Sequence, residues 1–156
     1  MRISSIYRKV LLVLVLAIVP LAVFGQSNEF MDELLQQDSI SVGQAAYLVL
    51  VASENLSEDA DIQRSFDLLE SLGWASGGND ASTPIRLGEY AYILMRAFDV
   101  PGGLLYTIFP SARYAYRELR YKMVIQGRSD PADTINGNLA IRLLGRIFDI
   151  QGVSYE

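Results

Sequence analysis

Ser65–Gly103 reads SFDLLESLGWASGGNDASTPIRLGEYAYILMRAFDVPGG, and Ala115–Val153 reads AYRELRYKMVIQGRSDPADTINGNLAIRLLGRIFDIQGV. The two stretches overlay at a constant offset of 50 residues without a gap. Nine of the 39 positions are identical, where composition alone gives roughly two or three. The identities are Leu69/Leu119, Gly77/Gly127, Asp80/Asp130, Ile85/Ile135, Leu94/Leu144, Arg96/Arg146, Phe98/Phe148, Asp99/Asp149 and Gly102/Gly152. Such a period predicts one structural unit stacked on copies of itself.

Each full unit reads as helix, glycine-containing loop, helix. In the middle unit Ser57 is the expected N-cap, with Glu58 and Asp59 at the positive helix start. Ile62, Phe66, Leu69 and Leu72 follow at helical spacing and predict one buried stripe. Gly73 ends that helix, Gly77 to Pro84 is a loop by composition, and a second helix runs from about Leu87 to Phe98. The third unit repeats the plan. Ser111 opens a helix with Ala112, Ala115, Tyr116, Leu119 and Met123 inward, and Asn136 caps a second helix carrying Leu139, Leu143, Leu144, Ile147 and Phe148.

A shorter first unit precedes these. Ile40–Ala52 matches Ile85–Ala97 at an offset of 45, with five identities in 13 positions. Ser41 and Gln44 have capping-box spacing. A helix around Phe30–Leu35 runs almost directly into it, so the long loop is missing. The expected fold is therefore all-α: three helix-loop-helix repeats, at about 28–55, 57–103 and 111–153, with the first abbreviated. Three apolar second helices meet at the centre, and amphipathic first helices cover them.

The pattern Leu72-Gly73-Trp74-x-x-Gly77, Asn79-Asp80, then Pro84-Ile85-x-x-Gly88-Glu89-Tyr90-Ala91-x-Ile93-Leu94-x-Arg96-Ala97-Phe98 resembles an S-layer homology repeat. The resemblance implies a compact pseudo-threefold domain around a central three-helix bundle, and attachment to cell-wall glycan. In that family the second helix opens with an Ile-Thr-Arg-Ala-Glu type motif whose arginine helps hold the glycan. Here the arginine positions are Val42, Leu87 and Gly137, and the glutamate position keeps Glu89 but holds Gln44 and Leu139 elsewhere. No binding residue carries over from that motif.

The ends and the charge set further bounds. Arg2, Arg8 and Lys9 precede an apolar run from Val10 to Phe24, which predicts a signal peptide over 1–25 and a single domain over 26–156. The alternative is an uncleaved anchor, but a run of about 15 residues is shorter than the ~20 that a spanning helix needs. From residue 26 onward 10 basic residues stand against 18 acidic ones, which argues against a nucleic-acid partner. Residues 26–80 hold 11 acidic residues and a single basic one, Arg64. The rest of the chain is slightly basic.

Catalytic chemistry is sparse. The chain has no His and no Cys, so Ser-His-Asp and Cys-His catalysis and the usual zinc and copper ligand sets are ruled out. The acidic residues read as solvated surface or as loop turns. Asp80 and Asp130 in particular suit bonds to their own loop backbone rather than a calcium site. No cofactor is expected. The candidate partner-binding residues are Arg113, Arg117 and Arg120, at i, i+4 and i+7 of one helix, flanked by Tyr114 and Tyr121. Arginine forks beside tyrosine faces suit an anionic glycan or an acidic protein surface. A solvated face paired with Glu118 is the plainer reading. Arg96 and Arg146, each followed by Asp three residues on, read as structural.

The expectation is a non-enzymatic, exported bacterial envelope protein, in the periplasm or at the cell surface, bound to peptidoglycan, wall polysaccharide or an envelope protein. The alternative is a helical-repeat scaffold that assembles with another envelope protein.

Overall fold

A computed structural model describes residues 30–152 of the chain. The proposed signal segment lies outside the described residues. The chain divides into two units, Met1–Glu33 and Leu34–Glu156.

Among the described residues seven helical segments follow one another: α1 (residues 30–36), α2 (Val42–Ala52), α3 (Ile62–Ser71), α4 (Leu87–Ala97), α5 (Leu104–Ile108), α6 (Ala112–Tyr121) and α7 (Gly137–Gln151). Among the described residues strand-type pairing is limited to two isolated bridges, Ser41 with Pro84 and Arg86 with Thr134. The fold is all-α.

The helix starts follow from local chemistry. At α2 the Ser41 hydroxyl accepts from the Gln44 N–H at 3.2 Å, and the Gln44 side chain accepts from the Ser41 N–H at 2.9 Å. At α7 the Asn136 side chain accepts from the Leu139 N–H at 2.9 Å. At α4 the capping position is Arg86, which has no acceptor, and only the return half of the box remains. The Glu89 carboxylate accepts from the Arg86 N–H at 3.0 Å. Ser111 occupies the capping position of α6 but makes no side-chain capping bond.

Three residues depart from the sequence expectation. Ser57 does not start α3. Its hydroxyl donates to Asp59 within a turn, and the cap is Asp61, which accepts from the Arg64 N–H at 2.7 Å. A carboxylate four residues further along wins because it reaches a free N–H and also favours the positive helix end. Met123 is not a core residue. It lies just past the end of α6 at φ 62° and is 64% exposed, while Val124 and Ile125 are buried. Leu72, expected in the α3 stripe, is likewise exposed at the helix cap, and buried Ser65 lines the inner face beside Phe66.

Gly73 and Met123 close α3 and α6 identically. Trp74 N–H bonds to Leu69 C=O and Gly73 N–H to Glu70 C=O, and Val124 bonds to Leu119 and Met123 to Arg120 in the same way. Both ends need a left-handed residue. Gly73 adopts it freely at φ 69°, whereas Met123 carries a Cβ into it.

α2 packs on α3, α4 packs on α6, and α4 also touches α2 and α7. The second helices thus share a core that includes Val49, Leu50, Tyr90, Ala91, Leu94, Ala140, Leu143 and Ile147, all buried. Tyr90 is fully buried, and its hydroxyl donates to the Ala140 carbonyl at 3.0 Å, so the one polar atom brought inside is satisfied.

The helix starts converge on a closed ring. The Ile40 N–H donates to the Ile135 carbonyl at 2.9 Å, Ile135 to Ile85 at 3.3 Å, and Ile85 to Ile40 at 3.0 Å. All three side chains are buried, each contributing roughly 2 kcal/mol of apolar burial. Next to the ring Gly137 lies against α1. An ideal Cβ there would stand 2.0 Å from the Leu34 carbonyl oxygen, which only glycine accommodates.

Candidate functional site

α6 forms because its inner face is apolar and its outer face charged. Ala115, Tyr116 and Leu119 are buried, while Arg113, Arg117 and Arg120 are exposed. Successive residues turn by about 100° around a helix, so these arginines form one stripe, with Tyr114 and Tyr121 along its edge. Tyr121 is 85% exposed. The Tyr116 hydroxyl donates to the Ser129 carbonyl at 2.6 Å, which ties the helix to its loop. Arg120 lies 5.9 Å from the Tyr116 ring centroid and donates to its hydroxyl at 3.4 Å. Arg113 and Arg117 make no side-chain hydrogen bond or ion pair among the described residues, and Glu118 does not neutralise them. The stripe is an outward helix face, not a pocket, and its five residues share it as the heptad-like spacing suggests.

Beside it runs α5, which the repeat pattern does not contain. A helix of five residues is too short to stand alone. It is held by one inward residue, Tyr106, and by the Thr107 hydroxyl, which donates to the Gly103 carbonyl at 3.1 Å. Its other apolar side chains point out: Leu104 is 75% exposed and Phe109 60%, with Leu105 and Ile108 exposed between them. α5 packs on α6, and a Cβ on Gly103 would lie 3.0 Å from a Glu118 carboxylate oxygen. The sequence signal for this segment is the shift in repeat offset from 45 to 50, together with Leu104-Leu105 and Ile108-Phe109 after Gly102-Gly103.

Under α5 lies a cleft of about 300 Å³, lined by Arg96, Asp99, Pro101, Gly102, Tyr106 and Pro110 among others. The Tyr106 ring meets Tyr92 edge-on at 6.4 Å, and its buried hydroxyl has no hydrogen-bond partner among the described residues. Burial, with a smaller repulsion from Tyr92, pushes this hydroxyl up to about 12, against the opposing pull of Arg96. A second groove, of about 440 Å³, is formed at the equivalent connection by Val51, Glu54, Asn55, Leu56, Ser57 and Glu58.

Arg96 and Arg146 each engage the end of a first helix. Arg96 stands 5.8 Å from the Trp74 ring centroid, and Arg146 donates to the Val124 carbonyl at 2.8 Å. Trp74 and Val124 are equivalent positions, so each arginine locks a second helix to the end of its own first helix. In the loops the Asp80 carboxylate accepts from the Ser82 N–H at 2.9 Å and from the hydroxyls of Ser82 and Thr83, which hold it below the usual carboxylate range. Asp130 accepts from the Ala132 N–H at 2.8 Å. Both aspartates serve their own turns.

Among the described residues no cluster of three potential metal-ligating side chains occurs, and no helix is long and apolar enough to cross a membrane. No family model, curated protein or solved structure matches the chain.

Proposed function

We propose that this chain is a non-enzymatic, exported cell-envelope protein whose helical module attaches to cell-wall material or to an envelope protein. The observation that carries the reading is the closed ring of Ile40, Ile85 and Ile135. An open helical solenoid has free ends, whereas a ring of three equivalent positions fits the pseudo-threefold, S-layer-homology-like domain that the repeats suggest. The unneutralised arginines of α6 supply a surface for an anionic wall polymer. Retention of the purified protein on peptidoglycan or wall polysaccharide, lost on raising salt, is the expected result. Failure to bind either polymer at low salt excludes wall attachment and leaves a protein partner. That second reading, a scaffold for another envelope protein, draws on the acidic groove at Val51–Glu58, which suits a basic peptide segment.

A further inference from the structure

We propose that α5 and α6 together form a docking surface for an anionic phospholipid bilayer. The segment does not span the membrane. It inserts the ridge Leu104, Leu105, Ile108 and Phe109 into the interface while Arg113, Arg117 and Arg120 hold lipid phosphates. The proposal does not depend on wall binding.

The first support is the order of chemistry around α6. Glu118 faces α5, as the close approach of its carboxylate to Gly103 shows. From Glu118, helical geometry places Tyr114 and Tyr121 next, then Arg117, then Arg113 and Arg120. Moving away from the α5 ridge, the surface therefore runs apolar, past the one carboxylate of Glu118, to aromatic and then cationic. A bilayer presents the complementary sequence from acyl chain to interface to phosphate, with tyrosines favoured at the middle level.

The second support is that most of the ridge is left uncovered by the described residues. Only Tyr106 of α5 is buried, so four large apolar side chains remain in water on a segment absent from the other connection. A second copy of the chain is a poor occupant. A projecting five-residue helix falls short of the ~800 Å² per partner that a stable dimer buries. A fluid lipid surface needs no matching groove. Charge selects the same partner: the chain is acidic as a whole, yet this face carries three arginines against the one carboxylate of Glu118, two of them without a side-chain partner among the described residues, and each basic residue near an anionic leaflet strengthens binding about fivefold.

The test is side-chain oxidative footprinting of the full chain, with and without vesicles. Any lipid binding by the apolar residues 10–24 is common to the parent chain and the ridge variant, so the difference between them reports the ridge. With equimolar phosphatidylglycerol and phosphatidylcholine, Leu104, Ile108, Phe109 and Tyr121 become protected, whereas Trp74 does not. Phosphatidylcholine alone gives little protection. The Leu104→Ser/Phe109→Ser variant loses the protection at Ile108 and Tyr121. Arg117→Gln/Arg120→Gln requires about twentyfold more lipid for the same protection. Both variants change exposed residues, and circular dichroism checks that they fold. No protection at the ridge, or equal protection on phosphatidylcholine alone, overturns the proposal. So does protection that rises with protein concentration without lipid, which identifies self-association instead.

Discussion

Residues 53–61 carry the chain from α2 to α3, and residues 98–111 carry it from α4 to α6. Both join the end of a second helix to the start of the next first helix, and both helix pairs pack together. The first connection is short and polar, with Glu54, Asn55, Ser57 and Glu58 around a groove. The second is longer by the five residues of α5 and exposes an apolar ridge. A frame that tolerates such opposite links is held elsewhere, by the ring and the helix core. What differs between links is then free to serve recognition.

The largest expected effect comes from breaking the common frame. Gly137→Ala drives a Cβ into the Leu34 carbonyl and costs about 3 kcal/mol or more, a fall in Tm of roughly 10 °C. At Gly88 the nearest atoms to a new Cβ are 3.2 Å away, so Gly88→Ala costs about 1 kcal/mol. Thermal unfolding compares them, and equal losses would show that the two helix starts are equally tight.

Two buried tyrosines sharpen the contrast between core and connection. Tyr90→Phe removes a satisfied bond to Ala140 and loses about 1 kcal/mol, whereas Tyr106→Phe removes an orphaned hydroxyl and loses nothing or gains up to about 1 kcal/mol. Alkaline titration adds a check. Between the ordinary tyrosine value of 10.0 and about 12, the unfolded chain has given up a proton that folded Tyr106 retains. Stability therefore falls as pH rises through that window, and Tyr106→Phe makes the fall shallower.

The two equivalent helix ends should respond in opposite directions. Met123→Gly relieves a left-handed side chain and gains about 0.5–1 kcal/mol, while Gly73→Ala loses about 1 kcal/mol. Urea midpoints read both. The smallest effect is at the ridge: Leu104→Ser with Ile108→Ser changes stability by less than about 0.5 kcal/mol. A larger loss would mean that α5 supports the fold after all.

Much of the scaffold is legible before any coordinates. Ser41, Gln44 and Asn136 mark their helix starts because a side-chain acceptor at the right spacing has one local use. Ser57 misleads because Asp61 offers a competing cap, and choosing between them depends on where the chain leaves α2. Met123 reads as core because helical periodicity continues through it, and nothing local announces that the helix has already turned left-handed. The arginine stripe is legible from spacing alone. The α5 ridge is not, since Leu-Leu-Tyr-Thr-Ile is too short to show a period and reads as ordinary core. Only packing reveals that one of the five faces inward.

The isoleucine ring also has a consequence for synthesis. Ile40 emerges from the ribosome roughly 95 residues before Ile135, a wait of about 5–20 s at ordinary elongation rates. Until then the Ile40 N–H and the Ile85 carbonyl have no ring partner, and the nascent chain has an unfinished edge. Once Ile135 arrives, no position is left open. Each of the three isoleucines then donates once and accepts once within the ring, so the ring has no free N–H left for a further segment. The links between helices lie outside it, and the longer one carries α5 without touching its bonds.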